Sequence, residues 1–120
     1  MLVADDDEFQ RKIVARILEA ENYHVIFAAN GFEVLSLLRK TRPDLILMDV
    51  MMPELDGVET TRRLKAAPQF AGTPVIMITG NSEKTIVAAS LKAGASGFLV
   101  KPFERDTLLA KVAQALRGNH

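Results

Sequence analysis

Apolar residues fall in five short runs of strand length, and between those runs they recur at helical spacing. The runs are Leu2 to Ala4, carried on to Asp5; Val25 to Ala28; Leu45 to Met48, ending in Asp49; Val75 to Ile78, ending at Thr79-Gly80-Asn81; and Phe98 to Val100, ending at Lys101-Pro102. Continuous apolar runs of this length, punctuated by residues such as Asn30-Gly31, Pro43, Pro53 and Gly57, mark strands buried on both faces. Each is followed by a helical pattern. Phe9, Ile13 and Ile17, with Val14 and Leu18 beside them, predict a first helix ending near Glu21-Asn22, and its leading acids suit the positive end of the helix dipole. Val34, Leu35 and Leu38 predict a second helix that stops before Pro43. Asp56 is a candidate N-cap for a third helix through Ala66, where Pro68 and Gly72 break the pattern; its apolar face is thin, Val58 and Leu64 being the clearest members. Ser82 caps a fourth helix carrying Ile86, Val87 and Leu91 and closed by Gly94. A fifth carries Leu108, Leu109, Val112 and Leu116, and Arg117-Gly118-Asn119-His120 reads as its run-out into a tail or linker.

Strand and helix therefore alternate five times with short connections. That pattern predicts an α/β fold: a parallel sheet with helices on both faces, joined by right-handed crossovers. At 120 residues the common single-domain solution is a five-stranded sheet in the order 2-1-3-4-5, with a crevice at the carboxyl ends of strands 1 and 3. The first run begins at Met1, so either the chain starts unusually close to its first strand or residues precede this numbering; a domain (1–120) excised from a longer protein is one expectation.

Composition narrows the class. Fifteen basic and fifteen acidic residues cancel, so no overall field favours nucleic acid or an anionic membrane, and neither is expected as a direct partner. Cysteine is absent, which removes disulfides and thiolate metal sites. No apolar run approaches a membrane span and the start lacks a signal-peptide pattern, which makes the cytoplasm the expected location.

The chemistry lies at the strand ends. The predicted topology gathers Asp5, Asp6, Asp49, Thr79 and Lys101 at one edge of the sheet. Crowded carboxylates repel unless a cation shares the site, and hard oxygen ligands favour Mg2+, which takes phosphate oxygens as further partners. A lysine ammonium and a threonine hydroxyl complete a cradle for a phosphoryl group, in which an aspartate can serve as nucleophile. Singly, each residue has a structural reading: the acids as a helix start, Asp49 as a turn residue or cap, Thr79 as a cap, Lys101-Pro102 as loop chemistry. It is their joint placement that points to a site.

The acid pair Asp5-Asp6 after the first strand, the Asp49-Val50-Met51-Met52-Pro53 segment with Gly57, Thr79-Gly80 and Lys101-Pro102-Phe103 resemble the motifs of response regulator receiver domains of two-component systems, over essentially the whole chain. The resemblance implies a flavodoxin-like (βα)5 three-layer sandwich and a phosphorylation-controlled switch rather than a multi-turnover enzyme. Asp49 would accept a phosphoryl group from the phosphohistidine of a sensor histidine kinase or phosphotransfer protein. Asp6, Asp49 and the backbone carbonyl of Met51 would hold Mg2+ (or Mn2+), with Asp5 acting through a water. Lys101 and Thr79 would contact the phosphoryl oxygens, and the Lys101-Pro102 peptide would be cis. Thr79 would move on phosphorylation and Phe98, standing where tyrosine is common, would turn inward, changing the helix 4–strand 5–helix 5 surface that a downstream effector reads. Met51 and Asn81 flank the acceptor, where residues influence access of hydrolytic water. A homodimer through helix 4, strand 5 and helix 5 is also implied, although Ala95-Ser96-Gly97 lacks the acidic residues of the family's salt-bridged dimer and leaves Lys92, Arg105, Asp106 and Lys111 for other contacts.

Three other readings compete. An aspartyl-phosphate hydrolase of the haloacid dehalogenase type wants a second aspartate where Met51 stands. A flavodoxin-like cofactor binder wants a hydroxyl-rich loop where Asp5-Asp6-Asp7 would repel the flavin phosphate. A degenerate receiver serving only as an interaction module would have no need of the full set of site residues found here.

Overall fold

A computed structural model describes residues 1–80 and 84–117. Its elements are β1 (Leu2–Ala4), α1 (Glu8–Glu19), β2 (Ile26–Ala28), α2 (Gly31–Leu38), β3 (Ile46–Asp49), α3 (Gly57–Lys65), a one-turn 3-10 helix (Pro68–Phe70), β4 (Val75–Thr79), α4 (Lys84–Lys92), β5 (Gly97–Val100) and α5 (Arg105–Arg117). The strands form one sheet in the order β2-β1-β3-β4-β5, every pair parallel.

The continuous apolar runs are explained by burial on two sides. Leu2, Ala4, Ile46, Met48, Val75 and Met77 face one core with Val34, Leu38 and Leu64 of α2 and α3. Val3, Leu47, Ile76 and Ile78, with Leu45 just ahead of β3, face a second core with Val14, Leu18, Leu108 and Val112 of α1 and α5. This is a three-layer flavodoxin-like sandwich. Helix ends follow local chemistry. Asp7, Asn30 and Asp56 cap α1, α2 and α3, each accepting backbone N–H groups of the first turn. After α1, Asn22 adopts a positive φ of 67°, while the Tyr23 N–H reaches the Leu18 carbonyl and the Asn22 N–H that of Glu19; this Schellman turn closes the helix where the sequence predicts. Gly94, at φ 111°, closes α4 in the same way through Ala95 and Ser90.

Several expectations need correction. β1 stops at Ala4 and β2 starts at Ile26, so Asp5 and Val25 lie just outside their strands. The thin apolar face of α3 is completed by Thr60 and Thr61, both fully buried. Their hydroxyls donate to the carbonyls of Asp56 and Gly57, so the buried oxygens are satisfied within the helix and the methyls pack inward. On α4, Leu91 is 54% exposed while Ser90 is buried, its hydroxyl donating to the Ile86 carbonyl. The expected Ser82 cap, Asn81 and the tail beyond Arg117 lie outside the described residues.

Candidate functional site

β1 and β3 are neighbours, so their carboxyl ends bring Asp5 and Asp49 together. Both are buried, whereas Asp6 is exposed. One carboxylate oxygen from each of Asp5, Asp6 and Asp49 lies within 4.8 Å of the other two. The loop after β5 carries Lys101 back over this edge: its Nζ lies 2.8 Å from Asp49 Oδ2 and 3.4 Å from Asp5 Oδ2. The Lys101-Pro102 peptide is cis.

Backbone groups orient the acids. Asp49 Oδ1 accepts the Met51 N–H at 3.0 Å, and Asp5 Oδ1 accepts the Asp7 N–H at 2.9 Å. The Met51 side chain points away and is 68% exposed. Thr79 is fully buried at the end of β4, and its carbonyl accepts the Lys101 N–H at 2.7 Å. Phe98 stands apart from the charged cluster. It is half-buried on β5 opposite Met77, packed against the core beneath α2, α3 and α4.

Burial pushes the Asp5 carboxyl up; the Asp7 N–H opposes this, the Asp49 charge adds to it, and Lys101 offsets part, leaving a net rise. Burial alone would lower the Lys101 ammonium, but Asp49 and Asp5 together outweigh it and the pKa is raised, so the charge is retained at neutral pH. At an effective dielectric near 20, two carboxylates at such separations repel by on the order of 3 kcal/mol. One ammonium among three carboxylates leaves a net negative cradle of hard oxygen donors, which fits a divalent cation of the Mg2+ kind.

Three further residues shape the site. Arg11 Nη1 donates to the Asp5 carbonyl at 2.6 Å, pinning the loop that carries Asp5 and Asp6. Nothing in the sequence signals this contact, because it depends on α1 folding back over its own leading loop. Asp7 anchors Asp5 and caps α1, a role its place before an amphipathic run does signal. Gly57 is needed for space: a Cβ there would sit 2.2 Å from the Asp49 carbonyl oxygen. The loop reaches Gly57 through Glu54, whose φ of 68° and the 2.7 Å hydrogen bond from the Leu55 N–H to the Pro53 carbonyl define a tight γ-turn. Such a backbone costs about 1–3 kcal/mol and persists only where its surroundings enforce it.

The profile of the family described as the response regulator receiver domain matches residues 1–113. Among characterised relatives, the DNA-binding response regulator MtrA of Mycobacterium tuberculosis (strain H37Rv) is 33% identical over 119 residues, covering 99% of this chain and 51% of MtrA. The response regulator MprA of Mycobacterium sp. (strain KMS) is 38% identical over 117 residues, covering 98% of this chain and 50% of MprA. The chain thus spans about half the length of the curated relatives it matches. Among solved structures, the signal receiver domain of a histidine kinase from Syntrophus aciditrophicus superposes with a TM-score of 0.91 at 38% identity, over 98% of this chain and 89% of that one. The receiver domain of a sensor histidine kinase from Pseudomonas aeruginosa PAO1, described with a magnesium ion coordinated in its active site cleft, gives 0.89 at 29% identity, over 96% and 94%. The chain belongs to the response regulator receiver domains, the phosphorylation-dependent signalling modules of two-component systems.

Proposed function

We propose that Asp49 accepts a phosphoryl group from the phosphohistidine of a sensor histidine kinase or phosphotransfer protein, in a Mg2+-dependent reaction. The observation that carries this reading is the Lys101 ammonium bridging Asp49 and Asp5 inside a three-carboxylate cluster. A carboxylate oxygen of Asp49 forms the new O–P bond as the donor's P–N bond breaks, its electron pair passing to the imidazole nitrogen. Hydrogen bonds to Asp49 from Met51 N–H and from Lys101 hold the carboxylate plane in place before the donor arrives. On transfer, the Lys101 ammonium passes from the carboxylate to the phosphoryl oxygens, joined by the Thr79 hydroxyl, so positioning and charge neutralisation supply the catalysis. Asp6, Asp49 and the Met51 carbonyl would hold Mg2+ directly and Asp5 through water, with Mn2+ able to replace it. When bound, the ion would supply positive charge that offsets the negative charge of the carboxylate cluster and of the incoming phosphoryl group.

Residues 1–120 form one receiver domain in this reading. Movement of Thr79 and an inward turn of Phe98 would alter α4, β5 and α5, the surface read by an effector domain, a target protein or a second copy. Thr79 and Lys101 are joined through the backbone, and β4 pairs with β5 throughout, which supports transmission along these two strands. An unchanged Phe98 rotamer with and without a phosphoryl mimic would overturn this part.

The acceptor assignment is tested by incubating the protein with Mg2+ and a small acyl-phosphate donor and measuring intact mass. One phosphoryl adduct is expected on the wild type, and none on Asp49→Asn or in chelator. No adduct on the wild type, or an unchanged adduct on the variant, refutes the reading.

A further inference from the structure

The three carboxylates of the cluster are not held alike. Asp49 is fixed by the Met51 N–H and by Lys101, and Asp5 by the Asp7 N–H and by Lys101. The Asp6 carboxylate is exposed and makes no hydrogen bond or ion pair among the described residues. One of its oxygens nevertheless lies within 4.8 Å of a carboxylate oxygen of each of the other two. An untethered side chain gains entropy by leaving such a place, so its direction is set by the backbone that carries it. That backbone has just left the sheet. β1 ends at Ala4, and the Asp5 N–H still reaches the neighbouring strand, donating to the Ala28 carbonyl at 3.0 Å. The Asp5 carbonyl belongs to the peptide plane shared with Asp6, and Arg11 Nη1 donates to it at 2.6 Å.

Helix geometry brings Arg11 to this carbonyl. Asp7 caps α1, and the Arg11 N–H donates to the Asp7 carbonyl in the first turn. Side chains on a helix lean toward its amino terminus, so the long stem of Arg11 lies back over the leading loop. The loop it reaches carries Asp5, Asp6 and Asp7, yet among the described residues Arg11 forms no salt bridge. The choice of acceptor matters. A guanidinium on those carboxylates would compete with a divalent cation, whereas on the carbonyl it holds the peptide plane and leaves the acids open. A hydrogen bond from an ionised donor is also about twice as strong as a neutral one, and arginine keeps its charge at any working pH. Lys101 supplies charge to the cluster; Arg11 supplies orientation.

We propose that Arg11 is a positioning residue for the metal site: by holding the peptide plane between Asp5 and Asp6, it aims the Asp6 carboxylate at the ion. It acts through Asp6 and is neither a ligand nor a catalytic residue. This role rests on the Mg2+ binding proposed above, and the two are separable by measurement.

The test is a calorimetric titration of Mg2+ into the whole chain and two variants: Arg11→Met, which keeps the apolar stem and loses the donor, and Arg11→Lys, which keeps a donor. The dissociation constant for Mg2+ should rise about tenfold in Arg11→Met, the lower end of the range for groups that orient metal ligands, and by less in Arg11→Lys. Adduct formation from a small acyl-phosphate donor should need correspondingly more Mg2+ to reach half its maximal rate in Arg11→Met, and should regain the wild-type rate at saturating Mg2+. In an Asp6→Asn background Arg11→Met should cost little more, because the carboxylate it aims is gone. Melts in chelator report how far each variant is destabilised without metal. A lower melt in Arg11→Met with an unchanged dissociation constant would make Arg11 a structural staple only and overturn the role. Losses from Arg11→Met and Asp6→Asn that add in full would overturn it as well. If the wild type itself binds no Mg2+, the proposed function fails first and this role with it.

Discussion

At Asp5, burial and charge oppose each other within a single side chain. Its folded pKa is raised, so the folded protein binds this proton more tightly than the unfolded chain, and ionisation costs stability. In the absence of divalent cation, stability is therefore higher below the Asp5 pKa and falls as pH rises through it. Asp5→Asn should raise the thermal midpoint at neutral pH in chelator. A lowered midpoint in a scanning fluorimetry melt would contradict the sign. Gly57 is sensitive for a steric reason. An added methyl would collide with the Asp49 carbonyl oxygen, which is backbone and has little freedom to retreat. Gly57→Ala should destabilise by about 1–3 kcal/mol in urea unfolding, the range for forced overpacking, and should also impair adduct formation because the clash lands on the proposed acceptor, Asp49.

At the scale of elements, α1 has two faces with separate uses. Val14, Ala15 and Leu18 are buried against the sheet, while Phe9 is 69% exposed and Ile13 40% exposed. Together with Ile17 and Ala20 they line an apolar shelf bordered by Lys12, Arg16 and Arg105. The helix starts at the acid loop, so on the proposed function a macromolecular donor bringing phosphohistidine to Asp49 would meet this shelf, whereas a small acyl phosphate would not. Phe9→Ala and Ile13→Ala should each lower the rate of transfer from a phosphorylated kinase severalfold, as truncation of an apolar contact residue does. Adduct formation with the small donor should stay at the wild-type rate. Equal losses with both donors would show that the shelf supports the site and not the donor. α3 makes a different point. Its inward face is built from threonines whose hydroxyls are satisfied inside the helix, so a count of apolar residues understates how firmly it packs.

For the whole molecule, the sheet order places β1 and β3 side by side and the β5 loop over their ends, so the site is a property of the complete fold. A cation that binds only the folded state stabilises it by mass action, about 2.7 kcal/mol at a concentration one hundred times its dissociation constant. Mg2+ should therefore raise the thermal midpoint of the wild type, and the rise should shrink or vanish in Asp49→Asn or Asp6→Asn. An equal rise in all three proteins would show that the ion binds elsewhere.

Much of this was legible in the amino-acid order. Leu45 to Met48 followed by Asp49 marks a two-sided strand with an acid at its exit because burial on both faces leaves no polar alternation to obscure it. The caps at Asp56 and Gly94 were legible for a similar reason, since cap chemistry acts within one turn. Element identity, strand order and the members of the acid cluster were thus determined by the sequence itself. Only the tertiary structure decided which contacts join them. Lys101 meets Asp49 across 52 positions and Asp5 across 96, and the near approach of Gly57 to the Asp49 carbonyl depends on how the intervening loop folds back. The Arg11 contact and the outward turn of Phe9 and Leu91 are likewise set by the packing of separate elements. Periodicity reports a helix and its moment, but how its neighbours crowd around it selects which apolar residues are covered and which stay free to meet a partner.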